Sequence, residues 1–549
     1  MNQYQKDQLF LLGLGILFFV PFLGQVHLFD WDEVNFAECA REMIESGNYL
    51  RVQINFTPFW EKPPLFFWFQ ALSMQVFGIN EFAARLPNAI AGLLTLATLY
   101  DIGYRIGDRT FAWFWVLAYG GAILPHFYFH SGIIDPWFNL LIFLSLCAFI
   151  RAYWRRKYGN NNRFRFLFLG GIALGLAILA KGPVAGLIMG LVLSIYWTTK
   201  EFRRIIRPGG LIVFGFGTLI PVGLWFGIET LMNGPWFVET FIEYQIRLFQ
   251  TEDAGHGGFP GYHAVVLLLG VFPTSLLALG SLFKPYQARR RMGDMRVWMM
   301  ILFWVVLVLF SVVQSKIVHY SSLCYFPLSF MAALTLYRAY TKERAVGYFV
   351  RVAITVVGMI IGAVVIAIPV LIKERSILEG LMQNDPFALA NIQAEVVWSG
   401  WEGLAGVWAI LITIVGVHFL ARKQTWRGAL VLGIGTALFV EFALWGFVKR
   451  VEGYSQRAAI EYCQTVAEED AYLLPVSYKS YAHLYYGAVT PETSTANRTF
   501  DELVKGEVDK DVYFIARIHK ESRLSKYAHL QKVGSKNGFV LYKRPRGAE

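Results

Sequence analysis

Thirty residues apart stand an acidic pair, Asp32-Glu33, and a cation set in the run Phe59-Trp60-Glu61-Lys62-Pro63-Pro64. Both border apolar segments, where water is scarce and a carboxylate favours a counter-charge. Asp32 suits a general base or a group that orients an acceptor; the plainer reading is a solvated acid at a helix N-terminus. Glu33 has the same two readings. Lys62, stiffened by the prolines after it, holds an ammonium at headgroup depth, which suits a phosphate, although a lysine that snorkels to the interface would look the same.

Other candidates share this character. Lys181, in the turn Lys181-Gly182-Pro183, reads either as a phosphate ligand or as structure. Asp135 follows His126, Phe127, Tyr128, Phe129 and His130 and precedes Pro136. That is the pattern of a helix N-cap as much as of a second acid. Between 229 and 262 lie Arg247, Glu252, Asp253, His256, Gly257 and Gly258, with His263 just beyond. A histidine in a glycine-rich loop can carry a proton or bind a metal, yet the sequence has no HExxH or paired-histidine spacing there. Lys316-Ile317-Val318-His319-Tyr320 sets a cation and an aromatic at another apolar boundary, as substrate contacts or as part of an aromatic belt.

These residues need a frame, and composition supplies it. At 549 residues, 56% hydrophobic, 16% charged and with a mean hydropathy of +0.44, the chain is an integral membrane protein. Its net charge of +11 sits in short clusters between apolar segments, as topology signals do, which argues against nucleic-acid binding. Cys39, Cys147, Cys324 and Cys463 are scattered without a metal or disulfide pattern. A crossing needs roughly 20 mostly apolar residues. Thirteen segments qualify, near 9-28, 82-104, 110-127, 133-151, 165-180, 183-199, 209-228, 263-283, 297-314, 320-337, 349-372, 402-420 and 428-447. The first is read as a retained span and not a signal peptide, because no small-residue cleavage site follows it.

Alternate loops carry the Lys and Arg clusters and are expected to be cytoplasmic. The opposite loops, 29-81, 128-135, 181-183, 229-262, 315-320 and 373-400, then face outward, as does everything after about 448. Most of the candidate residues fall in this outer set, the arrangement an amphiphilic substrate requires. In the first outer loop, apolar or small residues at Val34, Ala37, Ala40, Met43 and Ile44 predict an amphipathic helix lying in the interface, ended by Gly47-Asn48. Pro63-Pro64 predicts a second boundary and a second juxtamembrane helix from Leu65. Residues 1-447 then form the transmembrane domain and 448-549 a small extracytoplasmic α/β domain, with strands at 511-516 and 538-542.

Asp32-Glu33-Val34-Asn35-Phe36-Ala37-Glu38, Ala40-Arg41-Glu42-Met43, Phe59-Trp60-Glu61-Lys62-Pro63-Pro64, Ala84-Arg85-Leu86-Pro87 and Lys181-Gly182-Pro183 together resemble the lipid A aminoarabinose transferases and their relatives, the protein O-mannosyltransferases. These are GT-C glycosyltransferases. The resemblance is strongest over residues 29 to 190. It implies an inverting transfer of one sugar from undecaprenyl phosphate to lipid A, a glycan or a protein, at the periplasmic face of a bacterial inner membrane, by a monomer. Asp32 and Asp135 match the family's acids. Lys62 matches the lysine on the donor phosphate, with Arg247, Lys181 and Lys316 as further cations, while Arg85, His319 and Tyr320 are expected on the substrate. Glu61 matches a ligand of a divalent metal, zinc by resemblance, with His256 as its histidine partner. Asn35-Phe36 stands where aminoarabinose transferases have Arg-Tyr, a pattern nearer to the mannosyltransferases. The competing class is a transporter or flippase, whose mark would be ionisable groups at mid-span; Glu441 is the chief acid of that kind.

Overall fold

The computed structural model describes residues 1-157, 163-250, 257-282 and 289-547. Among these residues, eight helices are long and apolar enough to cross a bilayer: Glu81–Ile106, Asp135–Arg155, Arg163–Lys181, Pro208–Asn233, Arg290–Val312, Tyr348–Lys373, Trp401–Ala421 and Thr425–Ser455. The pair Tyr262–Gly270 and Thr274–Leu282, bent by 110°, makes a ninth if it is one span. The other four expected spans are shorter helices. Gln3–Phe19 has 17 residues and Val184–Thr199 has 16. Arg109–Gly120 stops at a turn before Ile123–Tyr128. Tyr325–Tyr340 is buried on every side through Tyr337, so its apolar residues meet protein rather than lipid. Glycine permits close helix crossings where it occurs in register: a Cβ on Gly171 would collide with the Phe214 carbonyl of Pro208–Asn233.

Both helices expected in the first outer loop form, Asp32–Ser46 and Leu65–Phe77. The first ends where Gly47 turns left-handed at φ +67°. It is not a surface helix, however. Every residue from Glu33 to Met43 is buried, so its charges are paired inside the protein. Arg41 forks onto Glu38 with two bonds of 2.7 Å and gives a third, of 2.6 Å, to the Val489 carbonyl. The small residues were read as the apolar side of a surface helix; they are instead what allows close packing all round.

The helix from Thr425 continues through a π-turn to Ser455, so the change of structure falls later than residue 448. Beyond it, a four-stranded sheet runs in the order Ala471–Val476, Asp511–Arg517, Phe539–Arg544, Gln531–Lys536. The first pair is parallel and the others antiparallel. Two of these strands fall where alternation predicts them. One face of the sheet has its own core of Tyr472, Val512, Phe514 and Val540 around Leu503 and Leu524. The opposite face, with Leu473, Ile515 and Leu541, joins the main core.

A buried ion pair fixes the start of Asp32–Ser46. Arg85 Nε and Nη2 donate to the two oxygens of Glu33 at 3.0 and 2.8 Å, and the same carboxylate accepts from Phe29 N at 2.9 Å and Gly132 N at 2.5 Å. The rest of the guanidinium donates to the carbonyls of Leu23, Val26 and His27. Burial alone would raise the carboxyl's pKa; Arg85 and the two backbone N–H groups overcome it and hold Glu33 below its ordinary value. Arg85→Met should destabilise the protein by about 3–5 kcal/mol, because an unpaired charge stays buried. Denaturant unfolding in detergent measures this, and a variant as stable as wild type would show that the pair is not structural.

Candidate active site

Eight of the expected residues meet in one cavity of about 760 Å³: Asp32, Glu33, Glu61, Lys62, Asp135, Lys181, His319 and Tyr320. Two helix ends build its centre. Asp135 is the first residue of Asp135–Lys157 and Lys181 the last of Arg163–Lys181. Their side chains pair at 2.6 Å, and each charge also complements its own helix dipole. The Lys181 ammonium lies 4.9 Å from the centre of the Tyr320 ring. Thus capping and site geometry, which compete as readings of Asp135, coexist.

His319 stands between the two aspartates. Its Nε2 is 3.6 Å from Asp32 Oδ2 and 3.8 Å from Asp135 Oδ2, too far for direct hydrogen bonds and suited to one bridging water or hydroxyl. Burial pushes the imidazole below its ordinary value against the pull of Asp135, so it is neutral at pH 7. Exposure separates the acids: the Asp135 side chain is 5% exposed and held by Lys181, whereas that of Asp32 is 35% exposed and faces the cavity. Asp32 can therefore meet a substrate, and Asp135 orients the groups around it.

The Glu61-Lys62 wall is completed by the helix Trp236–Gln250. The Tyr244 hydroxyl donates to Glu61 Oε2 at 3.1 Å, and the Lys62 ammonium sits 5.1 Å from the Tyr244 ring centre. The zinc implied by the resemblance would take Glu61, but the described residues do not assemble three ligands around it, and His256 lies outside the described residues. No step below is routed through a metal.

Three expected residues are elsewhere. Arg85 is consumed by Glu33 and three carbonyls and does not reach the cavity. Lys316 ties off the helix Arg290–Val312, donating to the carbonyls of Phe310, Ser311 and Val313. Arg247 stacks on Tyr244 at 5.2 Å from the ring centre and is not part of the lining. Glu33 lines the cavity with both carboxylate oxygens already bonded, which makes it a positioning group and not a catalytic one. Sequence reasoning missed Tyr244, Gln245, Asp30 and Lys479, all of which line the cavity. Tyr244 could have been found three residues before Arg247 on an amphipathic helix; Lys479, a lone lysine in a polar tail, carried no signal.

The hairpin Gln53–Ile54/Thr57–Pro58, which leads to Glu61-Lys62, hangs on one buried carboxyl. Glu42 accepts from Asn55 N at 2.5 Å and Phe56 N at 2.8 Å. Burial, reinforced by the neighbouring Glu38, pushes Glu42 up to about 9.

Fold and site define a membrane protein of long apolar helices that enclose an acid-and-lysine cavity. A family model described as dolichyl-phosphate-mannose-protein mannosyltransferase matches residues 61–225. Proteins named undecaprenyl phosphate-alpha-4-amino-4-deoxy-L-arabinose arabinosyl transferase are similar, from Shewanella sediminis (28% identical over 335 residues, 60% of each chain) and Photorhabdus laumondii (26% over 339 residues, 60% of each chain). The chain thus spans about 60% of the length of these relatives. One from Proteus mirabilis is 25% identical over 77% of this chain and 74% of its own. The crystal structure of ArnT from Cupriavidus metallidurans in the apo state superposes with a TM-score of 0.77 at 19% identity, covering 99% of this chain and 98% of that one. The same protein bound to undecaprenyl phosphate gives 0.74 at 18% identity, covering 99% of both. The chain has the GT-C fold and resembles the aminoarabinose transferase and protein mannosyltransferase group.

Glu42 generates a pH prediction. Its folded pKa of about 9 lies above the ordinary 4.5, so its stabilising contribution is complete below 4.5 and is lost as pH rises through about 9. Across that interval Glu42→Gln should flatten the fall in melting temperature seen with wild type. Equal slopes in scanning fluorimetry would refute the assignment.

Proposed function

We propose that this protein is an inverting glycosyltransferase that moves a single sugar from undecaprenyl phosphate to lipid A, a glycan or a protein. The observation that carries this reading is the meeting of an accessible carboxylate, Asp32, and a cation, Lys62, in one cavity that also presents an apolar stretch of wall, with Ile133, Phe138, Val184, Phe310 and Ile317. An apolar wall beside a cation suits a prenyl phosphate. The relatives' names and the complex of the Cupriavidus protein with undecaprenyl phosphate support the same donor. The cavity is proposed to face the periplasm of a bacterial inner membrane. The N-terminus would be cytoplasmic, the C-terminal unit outside, and the short apolar helices would complete thirteen crossings.

In the mechanism, the bond between the anomeric carbon and the phosphate oxygen breaks, and the phosphate leaves with the electron pair. Lys62 neutralises it; electrostatic groups of this kind contribute about 2.7–4 kcal/mol. The acceptor oxygen attacks the opposite face, which inverts the carbon. Asp32 removes the proton of a hydroxyl acceptor, or positions a lipid A phosphate that carries none. Asp135 and Lys181 fix His319, which bridges the two acids through a shared water or hydroxyl.

A second reading, transfer to Ser or Thr of proteins, is favoured by the mannosyltransferase family match and by Asn35-Phe36 on the cavity wall. Mass spectrometry of lipid A and of periplasmic glycoproteins, with and without the gene, separates the two: loss of a pentose derivative from lipid A supports the first, loss of a hexose from protein the second. Asp32→Asn should lower transfer from radiolabelled polyprenyl-phosphate sugar by about 10²–10⁴-fold with an unchanged melting temperature. Wild-type turnover in that variant removes Asp32 from the mechanism, and a purified protein that leaves the donor intact points to transport.

A further inference from the structure

Away from the cavity, Glu441, the mid-span acid, meets two histidines. His126 Nε2 lies 2.8 Å and His130 Nε2 3.3 Å from Glu441 Oε1. One ligand atom from each residue falls within 4.8 Å of the others. All three residues are buried, at 1%, 7% and 8% exposure. The rings of Phe18 and Phe19 pack edge-on against His126. Among the described residues this is the one cluster of three potential metal ligands.

The hydrogen bonds on the far side of each ring decide what sits between them. His126 Nδ1 is 2.8 Å from the Gly120 carbonyl, and His130 Nδ1 is 3.3 Å from the His126 carbonyl. A carbonyl only accepts, so both Nδ1 atoms carry the hydrogen, and a neutral ring then turns a lone pair at Nε2 toward the carboxylate. A single proton shared between Glu441 and one ring satisfies one of these contacts and leaves the other ring's lone pair facing the carboxylate. Protonating both rings would place two imidazolium ions 5.5 Å apart, nearly parallel, in an apolar setting with a single carboxylate. His130 Nε2 and Glu441 Oε2 also lack hydrogen-bond partners although buried. One divalent ion answers all of this. Ligand bonds of about 2.0–2.2 Å in tetrahedral geometry set ligand atoms about 3.3 Å apart; His130 and Glu441 stand at 3.3 Å, His126 and Glu441 at 2.8 Å, and all three within 4.8 Å of one another. Glu441 Oε2, buried and without a hydrogen-bond partner, can supply the fourth ligand.

We propose that His126, His130 and Glu441 bind a structural divalent transition-metal ion of the zinc class. The ion would clamp the helix Thr425–Ala443 to the turn before Asp135, joining residues 315 positions apart. It is separate from any metal at Glu61 and independent of the glycosyltransferase reading. His130 stands two residues before Gly132, which bonds Glu33, and five before Asp135, so the ion would steady the turn that delivers the second acid.

The test uses the full chain in detergent, stripped with chelator and reloaded with zinc chloride. Zinc per chain after gel filtration and the melting temperature are measured for wild type, Glu441→Gln, His130→Gln and Glu61→Gln. Wild type and Glu61→Gln should retain this ion and gain thermal stability that chelator reverses, while Glu441→Gln and His130→Gln should lose both. Zinc retention and stabilisation equal to wild type in those two variants overturns the proposal. Zinc-edge X-ray absorption of the Glu61→Gln chain decides even if the triad variants fail to fold: two imidazole ligands support the site, and none refutes it.

Discussion

Everything at the cavity depends on how the Glu33 carboxylate is held. Its four donors come from three places: the guanidinium of Arg85 on the helix Glu81–Ile106, the backbone at Phe29, and Gly132 in the turn before Asp135. A buried ion pair is weak evidence of net stability, since desolvation can cancel its attraction. Its value here is geometric. A helix advances about 100° per residue, so locking Glu33 inward commits Asp32 to the neighbouring direction, which is the cavity. Through Gly132 the same carboxylate sets the turn that presents Asp135. One structural acid thereby places both acids of the site.

The charges around it then divide the work. Asp135 and Lys181 largely neutralise each other, which leaves a polar wall at little cost in a dry setting. Asp32 and Lys62 are engaged differently: Asp32 is a third exposed, and Lys62 rests on the face of Tyr244 with its ammonium toward the cavity lining. A lysine over an aromatic face keeps its positive charge.

Local patterns in the chain made much of this legible. The apolar segments, the helices after Asp32 and Leu65, and two strands of the C-terminal sheet follow from periodicity and from Gly and Pro punctuation. Asp32, Lys62, Asp135 and Lys181 stood out because charge beside an apolar run is rare. What failed was partner choice. Arg85 and Lys316 have the same local signature as Lys62, yet their donors are taken by carbonyls that only the folded chain brings near. The helix Asp32–Ser46 looked superficial because its charges were counted as exposed, whereas Arg41, Glu38 and Glu42 satisfy one another and nearby backbone. Length, too, misled: Tyr325–Tyr340 is apolar because protein surrounds it, and hydropathy cannot tell protein from lipid.

The same distinction changes how the C-terminal segment should be understood. Composition alone makes it an appended soluble module, but its contacts converge on the strand-like stretch just before Asp32. Leu28 N donates to the Tyr486 hydroxyl at 2.6 Å, Gln456 bridges the Leu28 carbonyl and Asp30 N, and the Lys479 ammonium lies 4.5 Å from the Trp31 ring centre. Residues more than four hundred positions away therefore define the backbone path into the helix that carries Asp32, and Lys479 itself lines the cavity. Such non-local contacts cost loop-closure entropy, which grows only slowly with length, so distance along the chain is no barrier to their being part of the site. Through Lys479 the segment contributes to the wall of the cavity, which Asn35 and Phe36 also line.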